Sequence, residues 1–394
     1  MNRRAFLAGT GRAALGAGVA SISACATRDR RMTLWDAPGH PFASRVARLI
    51  PELMNEAEVP GCSMALIKDG RPFWRQGFGV KSVATGEPVG NGAVFEAASI
   101  SKTVFSYAIL KLAEQGVIGL DTPLTSYAKT PFLEGDPRLQ QITARRVLAH
   151  TAGFQDWRSK KEPLAIHFAP GEGFRYSGEG YFYLQSVMTR LVGHEHSDEC
   201  ARFEADLDVC ATDIDSTLKQ RLLMPFGMMS SAYLWNEDLK RHTVSPHDAD
   251  GKPFAKPPPT GSASARYAAA GGLHTTATDY AAFLLEIVNP KPPDDYRLTQ
   301  ASLDEMVRPQ VKLPADVQID GATSWALGWA VQERATGNVI VHSGGQAGFQ
   351  SLTMASVPRK AGFILFTNSD NGWKLFHHPK FVKSMNELLD GEVN

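Results

Sequence analysis

Strand-like segments stand near both ends of the chain, and this placement restricts the fold more than any other feature. Asp69-Gly70 separates two apolar segments, 62–68 and 72–80. An Asp-Gly pair between apolar strands predicts a β-hairpin. Further segments with strand character follow near the carboxyl end, at 326–333, 339–342, 350–357 and 362–367.

Segments with helical spacing lie mainly between these strands, at 43–56, 101–115, 141–149, 180–191 and 380–389. Strands at both ends with helices between them predict an α+β fold. We expect one antiparallel sheet flanked by N- and C-terminal helices, with an inserted, mainly helical lobe. The sheet lobe should take residues of about 40–95 and 320–394 and the helical lobe about 96–319, which predicts one two-lobed domain over 26–394 with a cleft between the lobes.

Residues 1–25 have the character of an export signal. Arg3-Arg4 followed by Phe6-Leu7 and a mild Ala/Gly-rich stretch is typical of a twin-arginine leader. The leader ends at Ile22-Ser23-Ala24-Cys25, which resembles a bacterial lipobox and predicts lipidation of Cys25, although one acyl chain anchors only weakly. An ordinary signal cleaved near Ala24 is the alternative. Both predict a periplasmic or cell-envelope protein, with possible membrane attachment through Cys25.

The charge balance excludes several classes of partner. Lys plus Arg and Asp plus Glu each total 41, so no net field favours nucleic acid or an anionic surface. No uninterrupted apolar run reaches the roughly 18 residues that a membrane span needs. We therefore expect a monomer that selects a small-molecule substrate inside a pocket, without a cofactor.

The cysteines are expected to have structural rather than catalytic roles. Cys200 and Cys210 lie in a polar insertion, 193–216, and in an oxidising compartment they are candidates for a disulfide. With His194 and His196 they could instead hold a metal, but the spacing fits no familiar zinc pattern, so no metal site is predicted. Cys62 is expected to be a small buried side chain.

Several motifs for other chemistries are absent: G-x-S-x-G, G-x-x-x-x-G-K-[ST] and H-E-x-x-H. S-x-x-K occurs three times, at 99–102, 126–129 and 216–219. Only the first copy runs into an apolar helix. The copy at 126–129 lies between two prolines and the copy at 216–219 follows a charged insertion, so both are interpreted as chance matches at the surface.

The first copy has the chemistry of an activated nucleophile. Ser99 and Lys102 fall on one helix face at i, i+3, where hydroxyl and amine can share a proton. A helix N-terminus also offers backbone N–H groups to an oxyanion. The serine becomes reactive only if Lys102 is partly deprotonated, which burial can achieve. Tyr176, in a glycine-flanked loop before a helix, is the candidate second proton carrier.

Five short stretches, in order, resemble the class C β-lactamase and family VIII carboxylesterase group of serine hydrolases over nearly all of the mature chain. They are Phe95 to Lys102, Val147 to Phe154, Pro170 to Ser177, Ala270 to Ala277 and His342 to Gly345. The resemblance implies a β-lactamase/transpeptidase-like fold.

The same resemblance assigns roles within the cleft. It implies that Ser99, Lys102 and Tyr176 are catalytic, and that the backbone N–H groups of Ser99 and Gly345 form the oxyanion hole. It also implies that His342, Ser343 and Gly344 lie on the strand that edges the cleft and contact the substrate.

Two departures from the family pattern bear on the substrate. Its lactamases carry Lys-Thr-Gly where this chain has His342-Ser343-Gly344, and a largely neutral imidazole attracts a carboxylate weakly. Gly178 replaces the Asn of the Tyr-x-Asn motif, which removes an amide that would orient an acylamino group. We therefore predict a carboxylesterase for small uncharged esters. The alternatives are a β-lactamase or D-amino-acid-specific peptidase, and a non-catalytic binding lipoprotein with this fold.

Three remaining features are given structural interpretations. Ser369-Asp370-Asn371 spells the S-D-N triplet of class A enzymes, but it follows the last strand, so a turn is expected. His150 and His274 belong to stretches that resemble the family, and we expect them to support loops through hydrogen bonds.

Overall fold

The predicted hairpin is present. The computed structural model describes residues 35, 39–128, 133, 135–192, 207–256 and 262–393. Strand β1 (Gly61–Lys68) and strand β2 (Arg71–Gly79) pair in antiparallel fashion. Asp69 and Gly70 connect them with φ angles of 53° and 68°. Both angles lie in the left-handed region that a tight hairpin turn requires and that Asp and Gly tolerate.

The other elements follow in chain order. The remaining strands are β3 (Phe95–Glu96), β4 (His274–Thr275), β5 (Val311–Lys312), β6 (Ser324–Trp325), β7 (Ala330–Gln332), β8 (Val339–Gln346), β9 (Phe349–Ser356) and β10 (Ala361–Thr367). Among the described residues, the α-helices are α1 (Pro41–Ala57), α2 (Ser101–Glu114), α3 (Ala144–Leu148), α4 (Gly178–Val192), α5 (Leu207–Leu218), α6 (Glu237–His242), α7 (Ser262–Gly271), α8 (Ala277–Val288), α9 (Gln300–Val307), α10 (Gly372–Phe376) and α11 (Pro379–Asp390).

The strands from the two ends of the chain join in one sheet. Its order is β2-β1-β10-β9-β8-β7-β6-β5, with every neighbouring pair antiparallel. Strand β1 pairs with β10 from Cys62 opposite Thr367 to Ile67 opposite Gly362. The predicted α+β fold, with an antiparallel sheet assembled from distant segments, is therefore confirmed. Strands β3 and β4 form a second, two-stranded antiparallel sheet.

Both faces of the sheet are covered, which explains why β10 is buried at every residue and apolar along nearly its whole length. Successive residues of β10 point to opposite faces. Phe363 packs edge-on against Phe381 of α11, with ring centroids 5.7 Å apart. Phe366 stacks on Phe95, on the side of the helical lobe, at 5.6 Å. Two separate hydrophobic cores result, one on each face.

Two strand predictions need correction. The segment 326–333 was expected to form one strand, but it holds a turn that separates β6 from β7. Gly328 sits in this turn with φ of 86°, and a Cβ there would lie 2.2 Å from Ser106 Oγ. In addition, β8 runs to Gln346, four residues beyond the predicted end at His342, because β9 continues to pair with it.

The helical lobe is centred on α2, which is buried along nearly its whole length. A helix that is covered on all sides needs mainly apolar or small residues all round, as the sequence 103–110 provides. Within the described part of the chain, no helix combines the length and the apolar character needed to cross a bilayer.

Candidate active site

The residue before Ser99 has an unusual backbone. Ala98 has φ of 50°, a left-handed conformation that costs a non-glycine residue about 1–3 kcal/mol. Two buried hydroxyls hold this turn: Ser101 Oγ donates to Ala98 O at 2.6 Å, and Ser351 Oγ donates to Ala97 O at 2.9 Å. The turn Ala98–Ile100 then leads directly into α2. These hydrogen bonds hold the strained turn in place. The turn positions Ser99 at the amino end of the helix, facing the sheet.

Lys102 lies one turn along from Ser99 and is almost completely buried, with 2% of its surface exposed. Its Nζ donates to Ser99 Oγ at 3.3 Å and to Ala270 O, in α7, at 2.8 Å. Burial lowers the pKa of Lys102 to about 8, and the negative charge of Asp156 opposes part of that shift. A neutral amine is therefore accessible near physiological pH and can accept the Ser99 proton.

Tyr176 reaches the same hydroxyl from the helical lobe. Lys102 Nζ lies 4.8 Å from the centre of its ring. Burial raises the pKa of Tyr176, and the nearby Ser99 hydroxyl opposes that shift only in part. Tyr176 thus keeps its proton at neutral pH and can relay one, while Lys102 is the stronger candidate for the base. The structure brings the three predicted residues together.

An aromatic cluster surrounds Tyr176. The ring of His150 lies 4.3 Å from that of Tyr176 and 4.8 Å from that of Trp325. Trp325 in turn lies 5.4 Å from His342. Sequence reasoning did not single out Trp325, because a tryptophan between strand-like residues is most simply a core residue. Only 1% of its surface is exposed, and its ring contacts both His150 and His342.

His342 is a neutral imidazole in this cluster. Its Nδ1 lies 2.7 Å from the Ser343 carbonyl oxygen, which can only accept, so Nδ1 carries the proton. Burial and the positive charge of Lys102 lower the pKa of His342 to about 3. Its Nε2 is buried and has no hydrogen-bond partner among the described residues. The sequence predicted a largely neutral imidazole at pH 7. Because burial lowers its pKa to about 3, the imidazole is fully neutral at physiological pH.

His150 supports the tyrosine loop, in agreement with its predicted role. Its Nδ1 accepts the N–H of Ser177 at 3.1 Å, and its carbonyl oxygen accepts the N–H of Arg175 at 2.9 Å. These two bonds flank Tyr176 and fix its place in the loop. Burial, followed by the charge of Lys102, lowers the pKa of His150 well below its ordinary value.

Strand β8 forms the wall opposite α2. Its pairing with β7 ends at Val341, so the edge from His342 to Gln346 is free to face the nucleophile turn. A Cβ on Gly344 would lie 3.0 Å from Ser99 N and 2.6 Å from Ala97 O. Only glycine therefore allows this close approach. Gly345, the other residue of the predicted oxyanion hole, follows Gly344 directly on this edge.

Ser343 points away from the cleft. Its cross-strand partner is Leu352, and successive residues of a strand face opposite sides of the sheet. Together with Met354 and Phe363, Ser343 lines a cavity of about 930 Å³ on the far face, under α11. The predicted contact of Ser343 with substrate is thus limited to its backbone. This cavity is large but lies away from Ser99.

Two further residues near Lys102 were missed by sequence reasoning. Asp156 accepts the N–H of Gly178 at 2.8 Å, at the start of α4, and its charge acts on both Lys102 and Tyr176. Tyr181 lies with its ring centre 5.5 Å from Lys102 Nζ. The only sequence signal for either was its closeness to a motif, since Asp156 follows the stretch 147–154 and Tyr181 follows 170–177.

Most other predictions concern residues outside this cluster. Cys25, Cys200, His194, His196 and Lys129 lie outside the described residues, as does the side chain of Cys210. Cys62 is a buried free thiol whose burial raises its pKa.

The remaining motif positions have structural surroundings. Ser216 lies in α5 and its Oγ donates to Asp213 O at 3.2 Å. His274 is buried beside Trp235, with ring centroids 5.4 Å apart. The triplet 369–371 is a turn, as predicted, in which Asp370 accepts the N–H of Gly348 at 2.6 Å. Among the described residues no group of three or more His, Cys, Asp or Glu could hold a metal ion.

Comparisons with known proteins identify the family and the fold. The profile of the Beta-lactamase family matches residues 46–383. Penicillin-binding protein 4* of Bacillus subtilis (strain 168) is 23% identical, over 86% of this chain and 75% of that protein. Protein flp of Staphylococcus aureus (strain MRSA252) is 20% identical over 88% of this chain, which spans 66% of the relative, just under two thirds of its length.

Solved structures share the fold. The octameric penicillin-binding protein homologue from Pyrococcus abyssi superposes with a TM-score of 0.69 at 21% identity, covering 88% of this chain and 79% of that one. D-alanine carboxypeptidase AmpC from Burkholderia cenocepacia gives a TM-score of 0.67 at 19% identity, covering 89% and 99%. At these identities the likeness concerns the fold alone.

Proposed function

The chain belongs to the Beta-lactamase family, whose members are serine hydrolases, and from that premise we propose that it hydrolyses small uncharged carboxylic esters through an acyl-enzyme on Ser99. The observation that carries the proposal is the 3.3 Å hydrogen bond from Lys102 Nζ to Ser99 Oγ. A buried amine with a pKa near 8 is a suitable base for a serine hydroxyl at neutral pH.

Acylation begins with the neutral form of Lys102. Ser99 Oγ attacks the ester carbonyl carbon as its proton passes to Lys102 Nζ, and a tetrahedral oxyanion forms. The backbone N–H groups of Ser99 and Gly345 stabilise that oxyanion, each such donor typically contributing about 3 kcal/mol. Collapse breaks the bond to the alcohol oxygen. That oxygen takes its proton from Tyr176, which is reprotonated by Lys102.

Deacylation reverses these roles. Water attacks the acyl carbon as one of its protons passes to Tyr176, which gives its own proton to neutral Lys102. The second tetrahedral intermediate collapses with departure of Ser99 Oγ, which recovers a proton from Lys102. The carboxylic acid is released, and atoms and protons balance over the cycle.

The preference for uncharged esters rests on His342. A ring with a pKa of about 3 carries no charge above mildly acidic pH, so it offers no ionic partner to the carboxylate of a lactam or a peptide terminus. Gly178 likewise offers no side-chain amide to an acylamino group. A D-alanine carboxypeptidase or β-lactamase activity is the second candidate, because structural neighbours carry those names.

The test compares three substrates on the purified full chain and on Ser99→Ala. We expect the unaltered protein to turn over 4-nitrophenyl acetate far faster than a chromogenic cephalosporin or a peptide ending in D-Ala-D-Ala, and Ser99→Ala to turn over none. Mass spectrometry should locate the acyl adduct on Ser99. Faster turnover of the lactam or peptide would replace the ester proposal with the second candidate. Labelling of Ser99 by a fluorophosphonate without any turnover would instead indicate a binding protein.

A further inference from the structure

An aromatic contact lies beside the catalytic cluster and takes no part in the mechanism above. The rings of Trp157 and Tyr267 meet edge to face, with centroids 4.7 Å apart and an interplanar angle of 64°. Trp157 is half-buried, and Tyr267 is 44% exposed. An exposed tyrosine held against a partly exposed indole presents apolar ring surface to solvent, where a ligand could cover it.

The two rings approach the site along different segments of the chain. The indole of Trp157 lies on Gly178, two residues after Tyr176 and therefore no more than about 7 Å along the backbone from it. Tyr267 precedes Ala270 by one helical turn of α7, and Ala270 O accepts the hydrogen bond from Lys102. The aromatic pair thus joins the two segments that flank the catalytic amine.

The segment that carries Trp157 is fixed on both sides. Asp156 accepts the N–H of Gly178 at 2.8 Å through its carboxylate, and its carbonyl oxygen accepts the N–H of Glu179 at 2.9 Å. Arg158 donates its own N–H to Glu179 Oε1 at 2.8 Å and its Nε to Glu179 Oε2 at 2.9 Å. Because hydrogen bonds hold the residues on both sides of Trp157, this segment loses little conformational freedom when Trp157 binds a ligand.

The indole excludes any side chain at position 178. A Cβ on Gly178 would lie 2.2 Å from Cζ2 of Trp157 and 2.4 Å from its Cε2. The aromatic surface and a polar side chain at position 178 are therefore mutually exclusive. Two residues after Tyr176, the indole therefore occupies the space that a side chain at position 178 would take.

We propose that Trp157 and Tyr267 form a subsite that binds an aromatic group of the substrate, so that the protein selects esters carrying an aryl ring. The inference rests on the proposed esterase function and adds the class of ester. A ring of the substrate would stack against Trp157 or meet Tyr267 edge-on, the two arrangements that aromatic pairs favour.

The first experiment measures kcat/KM on ester pairs that differ by one aromatic ring, ethyl phenylacetate against ethyl acetate and benzyl acetate against ethyl acetate. We expect Trp157→Leu and Tyr267→Leu to lose about tenfold or more on an aryl ester, mainly through KM, and less than about twofold on its alkyl partner. Tyr296→Leu is the matched control, because Tyr296 is 42% exposed and lies near Gln115, beyond the far end of α2. Equal effects on aryl and alkyl esters in both series would refute the subsite.

A second measurement does not depend on turnover. The Ser99→Ala protein is titrated with benzyl acetate and ethyl acetate by calorimetry, with and without Trp157→Leu. We expect tighter binding of the benzyl ester only when Trp157 is present. If the unaltered enzyme hydrolyses no ester, the proposed function fails, whereas this titration still decides whether the aryl subsite exists.

The clash between the Trp157 indole and any side chain at position 178 provides an independent test of where the indole lies. Gly178→Asn alone should displace the indole and abolish the aryl preference. In the Trp157→Ala background the same substitution should be accommodated, with a melting temperature close to that of Trp157→Ala alone. A Gly178→Asn enzyme that keeps full aryl preference would contradict the assigned position of the ring.

Discussion

The two walls of the cleft are built in different ways. Ser99 and Lys102 stand within four consecutive residues, and one helical turn sets their separation. The opposite wall combines Tyr176, Trp325 and His342, which come from a loop, a short strand and the sheet edge. Ring contacts of 5.4–6.3 Å hold this second wall together.

Because the two walls are built differently, we expect them to respond differently to substitution. Helix geometry places Lys102 near Ser99 wherever α2 forms, so a substitution there should remove chemistry and leave the fold intact. The assembled wall depends on packing between lobes, so a substitution there should change stability and activity together. The variants described below test this contrast between the two walls.

Lys102→Met should give the largest loss. We expect kcat/KM on a neutral ester to fall by about 10²–10⁴-fold, because the general base is gone. In the unaltered enzyme kcat/KM should rise with pH around a midpoint near 8, where Lys102 loses its proton. A pH–rate profile checks both statements, and a midpoint unchanged in Lys102→Met would assign the titration to another group.

The same lysine predicts a pH dependence of stability. Its pKa is about 8 in the folded state and about 10.5 when unfolded, so the unfolded chain holds the extra proton between those values. The free energy of unfolding should therefore rise with pH across this window, by about 3 kcal/mol, and the Lys102 contribution should be least favourable below pH 8. Urea titrations of the unaltered protein and Lys102→Met at pH 7.5 and 10 would measure the difference.

Gly344→Ala should be the next most damaging change. Its Cβ would meet backbone atoms, Ala97 O at 2.6 Å and Ser99 N at 3.0 Å, and would push β8 away from the nucleophile. We expect kcat to fall by about 10²-fold, comparable to loss of an oxyanion donor. Gly271→Ala is the matched control, because its Cβ would approach the same turn at an ordinary contact distance, 3.7 Å from Ala98 C. Similar losses in both variants would contradict this account.

Trp325→Phe tests the assembled wall. Trp325 Nε1 donates to Leu148 O at 3.1 Å, and that oxygen also accepts the N–H of Gly328 at 3.0 Å, so the substitution leaves it with one partner. We expect a loss of about 1–2 kcal/mol in the free energy of unfolding and a fall in kcat of less than tenfold. Thermal melts and ester kinetics on one preparation give both values. Full stability with a large loss of activity would place Trp325 among the groups that act on substrate.

Ser343→Ala should have the smallest effect. Its side chain faces the cavity on the far side of the sheet, so kcat/KM should change by less than about twofold, within the range of substitutions away from the chemistry. His342→Gln, one residue earlier and in the cleft, should change it more. Equal effects would mean that strand alternation does not separate the two residues.

Much of this architecture could be predicted from local patterns. The Asp69-Gly70 turn, helix α2 and the strands near the carboxyl end all lie close to their predicted positions, because hairpin chemistry and apolar periodicity act over a few residues. The turn at Gly328 was missed, since an apolar strand and an apolar hairpin have the same composition. The left-handed conformation of Ala98 has no sequence signal, because alanine rarely adopts it.

The sequence alone determined the pairing of a serine with an amine, since a spacing of three residues at the start of a helix leaves those groups little choice of position. The charge states of the site residues depend instead on the tertiary structure. The neutrality of His342, the lowered pKa of Lys102 and the exclusion of side chains at Gly178 all arise from burial against residues far away in the chain. Solvent exclusion is a property of packed surfaces, and no local pattern encodes it.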